Sequence, residues 1–423
     1  MTELAQGGVA QKLDPEHLPQ YVTSTVLDGA AREDALGVMK RLAEHVKNQT
    51  TEQADAPWLE PVENYYDEDL FKAEIETLFK RIPLPLALSV ELPGKNTYKA
   101  LDAVGVPVVL TRDAKGEVHA MLNVCRHRGA LLCANGYGEA RALTCPYHAW
   151  SYSMDGELRG IYGESTFGDF DKAERGLVQL PVVECAGLIF VCLTPGLEID
   201  IDSWLGDFKP VVEALKLDEV HVFSSRQMPG PNWKVVIEGY LESYHFAALH
   251  PNTVFKSNFG NLGVMDGYGP HQRATWALRN IETFFDKPES EWEPSGGCGP
   301  IIWLFPGMAF AGAWRERMTC ALVLPGANVG ESITEQRVLT RKPVTDENRE
   351  ELEIFADFFY DVTYGEDYIT GYGVQKGIRN VSGTTQIYGR NEVSVQYVHA
   401  QIDRLMDEYH VDGYALPKPP VKS

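Results

Sequence analysis

The chain has 423 residues, with 38 Lys+Arg against 60 Asp+Glu and a formal charge of −22. Single hydrophobic cores stop growing at roughly 250–300 residues, so a chain this long divides into domains, and 44% hydrophobic residues exclude disorder of the whole. Binding to phosphate backbones or anionic lipid needs Lys and Arg to displace counterions, so this acidic excess argues against nucleic-acid and membrane-surface roles.

Met1–Gln20 lacks a basic segment followed by an apolar core, so no signal peptide is expected. The strongest apolar runs, Leu84–Val90 and Leu188–Leu193, fall far short of the roughly 18–20 residues that span a bilayer. These features predict a cytoplasmic protein. Residues 1–61 read as a helical arm, with helical spacing over Ala31–Val46 and an exit at Pro57 and Pro61. The acidic cap Asp67-Glu68-Asp69, followed by Leu70, Phe71, Ile75, Leu78 and Phe79, predicts an amphipathic helix from about Tyr65 to Arg81. From Pro83 to about 200 the pattern changes to short apolar runs, such as Tyr98–Val104 and Val118–Val124, separated by turn residues. That punctuation predicts an all-β module. Beyond 201 helices and strands mix: the stretch from Asn232 to His250 and the segments Asp346–Tyr360 and Glu392–Tyr409 read as helical. Ile301–Phe305, Met308–Ala313 and Met318–Leu324 read as strands, and Pro417–Ser423 as a disordered tail. The fold class expected is α+β, with an all-β N-terminal module.

Seven cysteines form too sparse and odd a set for a disulfide framework, which leaves metal, catalytic or buried roles. Two of them stand in Cys125-Arg-His127-Arg-Gly129 and Cys145-Pro-Tyr-His148-Ala-Trp150. Each segment offers one thiolate and one imidazole. A zinc knot would more often pair like with like, whereas a Rieske two-iron, two-sulfur cluster needs two thiolates on one iron and two imidazoles on the other. Cys133 lies between the segments and reads as buried rather than as a fifth ligand.

Farther along stands Asn232-Trp-Lys234-(x)3-Glu238-(x)3-Glu242-(x)2-His245-(x)4-His250-Pro251. Two His and one carboxylate are the ligand set of non-heme Fe(II) oxygenases. A straight helix would put Glu242 beside His245 but rotate His250 about 140° away. The residue before proline avoids the α region, so a helix ending near Leu249 would let His250 turn back. Gly365-Glu366-Asp367 is the candidate third donor, with Asp367 preferred and Glu366 the alternative.

With both constellations in one chain, the sequence resembles the α subunits of Rieske non-heme iron aromatic-ring-hydroxylating oxygenases, from about Tyr65 to the C-terminus. The resemblance implies a Rieske domain over 62–200 and a helix-grip (START-like) catalytic domain over 201–423, with the arm packed on the latter. By the resemblance, Cys125, His127, Cys145 and His148 hold a 2Fe-2S cluster, and His245, His250 and Asp367 hold a mononuclear Fe(II). Glu242 falls where the family carries an acidic bridge, most often Asp, between a cluster histidine of one subunit, here His148, and an iron-ligand histidine of its neighbour, here His245. The resemblance therefore implies a head-to-tail ring, usually a homotrimer with or without a β subunit.

Two residues depart from the pattern: Glu242 is Glu, as in some members acting on methylated amines, and Glu238 stands where naphthalene-type members have Asn. The implied activity is that of a terminal mono- or dioxygenase using O2 and electrons from NAD(P)H. It would hydroxylate an aromatic or other hydrophobic compound; the alternative is oxidative N- or O-demethylation of a betaine-like or methoxy substrate. No Gly-x-Gly-x-x-Gly fingerprint is present, so nicotinamide chemistry falls to a separate reductase, with or without a ferredoxin. A zinc-structural protein, or an electron carrier lacking oxygenase activity, is the reading of another class. Trp276, Phe284, Phe285, Trp303, Phe305, Phe310 and Trp314 are candidate pocket aromatics, most of them expected to be ordinary core.

Overall fold

The computed structural model describes residues 26–421, so the reading of Met1–Gln20 lies outside it, as do the last two residues of the tail. The described chain divides into two compact units: the larger takes residues up to Asp67, His221–Asp403 and the segment from Pro417, the smaller Glu68–Val220 and Arg404–Leu416. No described helix is long and apolar enough to cross a membrane.

The larger unit is built on one antiparallel sheet of seven strands. Their spatial order is His221–Gly230, Ser332–Thr340, Arg317–Pro325, Met308–Ala311, Cys298–Leu304, His271–Leu278 and Asn258–Tyr268. His271–Leu278 and Arg317–Pro325 are buried along their whole length, which an antiparallel strand shows only when both faces are covered. Helix Trp233–Tyr240 packs on Arg317–Pro325, helix Asp346–Tyr360 on Ser332–Thr340, and helix Gly29–Asn48 on the strands Asn258–Tyr268 and His271–Leu278. Gly29–Asn48 buries Ala35, Val38, Met39, Leu42 and Ala43, a stripe at three- and four-residue spacing. Beside that stripe the buried Arg273 guanidinium is held between Asp34 of the helix and Asp266 of the sheet, and Arg41 reaches Asp266 at 2.6 Å. A buried charge is tolerated only when so matched. Downstream, Trp58–Pro61 pairs with Thr385–Tyr388. The tail does not follow the disorder that its composition predicts. Lys418 N–H donates to Asn64 Oδ1 at 3.0 Å, Asn64 Nδ2 returns a bond to the Lys418 carbonyl, and Val421 N–H reaches the Leu59 carbonyl at 2.9 Å.

Helix Asp346–Tyr360 runs on into a π-helical stretch, Asp361–Tyr368, before resuming as Ile369–Ile378. The stretch from Asn232 to His250 is not the single helix that its pattern predicts. Helix Trp233–Tyr240 begins under an Asn232 side-chain cap and stops at Leu241, and a separate turn of helix covers Phe246–Leu249. The break therefore comes well before Pro251.

In the smaller unit the helix predicted from Tyr65 begins at Glu68, becoming a π turn over Ile75–Phe79. A five-stranded sheet orders Gln179–Leu180, Val118–Leu122, Val106–Arg112, Thr97–Ala103 and Gly136–Glu139; two three-stranded sheets complete the β structure. Two loops repeat one backbone pattern. Cys125 accepts from the Gly129 N–H at 3.0 Å and donates to the Ala130 carbonyl at 2.8 Å, while Cys145 accepts from Ala149 at 3.0 Å and donates to Trp150 at 2.8 Å. The fifth residue of each turn is left-handed, with φ +79° at Gly129 and +55° at Ala149.

A methyl at Gly129 would meet open space, so Gly129→Ala should cost only the left-handed penalty, about 1–2 kcal/mol, whereas Ala149→Gly should be neutral or stabilising. Denaturant midpoints of the two variants check this.

Candidate metal centres

The paired loops of the smaller unit bring four donors together. Cys125 and Cys145 are each 2% exposed. The ring centroids of His127 and His148 lie 4.6 Å apart, nearly perpendicular. His127 is stacked on Trp150 at 5.0 Å and meets Phe167 edge-on at 5.5 Å. Nδ1 of His127 and of His148 is buried with no hydrogen-bond partner among the described residues. Two orphaned ring nitrogens beside two buried thiols are costly unless something fills the space between them. Burial, with the nearby His148 and Arg128 charges acting in the same direction, lowers the pKa of His127 and favours its neutral ring. The donor set fits a binuclear cluster with thiolates on one iron and imidazoles on the other. Tyr152, wholly buried, directs its hydroxyl to Cys125 Sγ at 3.4 Å and accepts the Arg126 N–H at 3.0 Å. Cys133 stands apart as a half-buried thiol, its pKa raised by burial, next to Tyr98.

In the larger unit His245, His250 and Asp367 bring one donor atom each within 4.8 Å of one another. His245 Nε2 lies 3.1 Å from His250 Nε2, and Asp367 Oδ1 lies 2.9 Å from the latter and 3.6 Å from the former. Local structure explains the convergence. Leu241 ends the helix, and the Glu242 carboxylate then accepts the backbone N–H groups of Tyr244 and His245, which fixes the turn that leads into Phe246–Leu249. Glu242 therefore meets His245 through a turn, not along a helix face. Its other oxygen closely contacts His245 Nδ1. His250 follows the short turn, just before Pro251.

Glu366, the alternative ligand in the sequence reading, sits on the far side of the His250 ring: its Oε2 is 2.6 Å from Nδ1 and accepts the Thr253 hydroxyl at 2.8 Å. Adjacent residues on the π-helical stretch thus flank one imidazole, Glu366 behind it and Asp367 in front. Each ring is held at Nδ1 by a carboxylate, which leaves Nε2 for a metal; this is how orienting groups act on ligating imidazoles. Burial works against a charged His250, yet hydrogen bonds and charge from Asp367 and Glu366 carry its pKa from 6.5 up to about 9. The donor set fits a ferrous ion with open positions.

Two cavities meet at this triad, and Gly239, His245 and Asp367 line both. The first, about 900 Å³ including its open mouth, has apolar walls that include Phe246, Trp276, Phe355 and Phe359, with Arg315 and Arg317 also on the lining. Of the aromatics expected in the pocket only Trp276 is there. Phe284, Trp303, Phe305, Phe310 and Trp314 are buried, and neither they nor Phe285 line the cleft. Phe355 and Phe359 follow helical spacing, so their sequence signal was that of core. The second cavity carries Glu238, Glu242 and Glu392 among walls that also include Val235, Val236, Leu249, Val374 and Val395. A further donor group, Asp113, Glu117 and His119, lies on a hairpin turn where Asp113 already accepts the Lys115 and Glu117 N–H groups.

Residues 83–171 match the family model of the Rieske 2Fe-2S domain, and 217–408 that of the ring hydroxylating alpha subunit (catalytic domain). The chain is 32% identical over 198 residues to the anthranilate 1,2-dioxygenase large subunit of Acinetobacter baylyi, spanning 45% of this chain and 42% of that protein, less than half its length. It is 29% identical over 337 residues to the carnitine monooxygenase oxygenase subunit of Escherichia coli, spanning 76% and 85%. The crystal structure of the quaternary ammonium Rieske monooxygenase CntA superposes with a TM-score of 0.72 at 21% identity, over 86% of this chain and all of that one, which establishes the fold. With both domains matched in order and the fold shared, the chain belongs to the Rieske non-heme iron ring-hydroxylating oxygenase α-subunit family.

Proposed function

We propose that the protein is the terminal oxygenase of a multicomponent system, taking electrons from NAD(P)H through a separate reductase, with or without a ferredoxin, and using O2 to oxidise a small organic substrate. Cys125 and Cys145 would hold one iron of the 2Fe-2S cluster and His127 and His148 the other, while His245, His250 and Asp367 hold the mononuclear Fe(II). The observation that carries this reading is the convergence of the three donor atoms, at 2.9–3.6 Å from one another, on the wall of an apolar cleft. When bound, the cluster supplies single electrons and the ferrous ion activates O2. The chain's own work is to aim the ligands and shape the cleft. Glu242 and Glu366 hold the two rings from behind. Phe246, Trp276, Phe355 and Phe359 exclude water from one side. Glu242 would also join His245 to His148 of a neighbouring subunit in a head-to-tail trimer, as in the family.

Aromatic or hydrophobic hydroxylation suits the apolar walls. Demethylation of a betaine-like compound is the second reading: aromatic faces of the cleft attract a quaternary ammonium group, and Arg315 and Arg317, held by the Ser295 and Cys298 carbonyls and by Glu351, add positive charge to the lining that suits a carboxylate. The long match to a carnitine monooxygenase subunit supports this second reading.

Metal analysis should give about three irons and two acid-labile sulfides per chain; a colourless, iron-free protein would exclude the assignment in favour of a zinc-structural role. His245→Ala should keep the cluster's visible spectrum and abolish product formation in single turnover with a surrogate reductase. Tyr152→Phe removes a hydrogen bond to a cluster thiolate, one that stabilises the reduced state more than the oxidised. Its midpoint potential should fall by about 40–60 mV, the equivalent of a hydrogen bond worth about 1–1.4 kcal/mol in a one-electron couple.

Below about 9 His250 carries a proton that a metal must displace, so metal uptake at pH 7–8 should release about one proton from this residue. Apparent affinity should rise about tenfold per pH unit up to that value, then level off. Titration calorimetry in buffers of differing ionisation heat measures both.

A further inference from the structure

The second cavity is backed by a buried polar array that the proposed ligand set leaves unused. Glu238 Oε1 receives the Tyr65 hydroxyl at 2.5 Å, the Tyr388 hydroxyl at 3.0 Å and His399 Nε2 at 3.0 Å, and the two tyrosine hydroxyls are in close contact. On the opposite side of the His399 ring, Nδ1 faces Glu60 at 3.9 Å; Glu60 is itself held by Trp58 Nε1 at 2.8 Å and Asn64 Nδ2 at 2.6 Å. The His399 side chain is 3% exposed, that of Glu238 14%. Buried Lys234 and half-buried Asp403 complete the charged groups facing His399, and Glu242, Glu392, His245 and Asp367 face the cavity that Glu238 lines.

Oxidation of a C–H bond by one atom of O2 consumes two electrons and two protons and releases water. The reductase chain supplies the electrons, whereas the protons must reach the triad through the protein or from solvent. We propose that Glu238 is the cavity-facing end of a proton store, His399–Glu238–Tyr65–Tyr388, which feeds protons to the oxygen chemistry through the second cavity bordering the metal triad. This inference rests on the oxygenase reading. In the transfer the His399 Nε2–H bond breaks as a Glu238 O–H bond forms; the proton then leaves Glu238 across the cavity, and His399 is recharged from the Glu60 and Asp403 side. Three features support the assignment. Glu238 Oε1 gathers two phenol hydroxyls and an imidazole nitrogen at one oxygen, so a proton can pass between His399 and Glu238 along an existing hydrogen bond. Burial alone would discharge His399, yet the Glu60 charge and the Glu238 hydrogen bond raise its pKa above the ordinary value. Burial, with the Glu60 charge, raises Asp403 to about 6, which lets it exchange protons with solvent near neutrality.

Two measurements test it on the full-length protein. Histidine nitrogen NMR, assigned with His399→Gln, should find both His399 ring nitrogens protonated at pH 7 and a pKa lowered by at least about one unit in Glu238→Gln. Reductant-driven O2 consumption and product yield should fall at least about tenfold in Glu238→Gln, with a larger solvent deuterium isotope effect and a flattened pH profile, and recover in part in Glu238→Asp. A purely structural role would lower the unfolding midpoint and leave isotope effect and pH profile untouched, overturning the store. So would a His399 that is neutral at pH 7, a readout independent of turnover. A metal-loaded wild-type protein that consumes no O2 overturns the oxygenase reading and the store with it, whereas an active wild type with unaltered variants overturns the store alone.

Discussion

Two imidazoles that present the same nitrogen to one point are the constraint around which the larger unit is arranged. With His245 Nε2 and His250 Nε2 3.1 Å apart, neither ring can be left to rotate, because either could turn away to satisfy its own hydrogen bonds. Each is therefore fixed from behind by a carboxylate, Glu242 at one Nδ1 and Glu366 at the other. Those carboxylates need positions that a regular helix does not provide. The helix breaks at Leu241, leaving Glu242 to hold the Tyr244 and His245 N–H groups, and the chain widens into a π-helical stretch so that Glu366 and Asp367 straddle one ring.

The sequence was informative where chemistry depends on residue type and short spacing. Cys-x-His and Cys-x2-His name four donors on two loops, and their repeated turn geometry follows from the small residues Gly129 and Ala149 at matching places. His-x4-His before a proline announced that a helix must end. It did not reveal that the main break lies at Leu241, because nothing in Tyr240-Leu241-Glu242 forbids a helix: the break is imposed by side-chain capping that forms only when the turn does. Asp367 was preferred over Glu366, but the separate place of Glu366 was not legible, since both are acidic neighbours and their roles differ only in which face of His250 they meet. The cleft aromatics Phe355 and Phe359 were hidden by their helical spacing, which serves core and pocket equally well, while the Trp- and Phe-rich segment from 276 to 314 mostly fills the core.

The arm gained meaning from the sheet. Helical spacing marked the arm without assigning partners to its charges, of which Asp34 and Arg41 join Arg273 and Asp266 in a charge cluster on the sheet strands. The cluster's one buried member is Arg273, which draws a carboxylate from the helix and one from the sheet and so ties the two elements together, an arrangement that periodicity alone does not announce.

Gly239, His245 and Asp367 border both cavities, and a side chain added at Gly239 would meet open space. The metal triad thus borders two chambers, one walled mainly by aromatic and aliphatic side chains with Arg315 and Arg317, the other carrying Glu238, Glu242 and Glu392. The two chambers can be remodelled separately: changes at Phe355, Phe359 or Trp276 alter only what fits beside the triad, leaving the Glu238 side intact. Gly239 is the exception, the one non-ligand position where a single methyl group would narrow both chambers at once. Directed evolution of this scaffold toward bulkier compounds can therefore draw its libraries from the apolar chamber and hold position 239 constant.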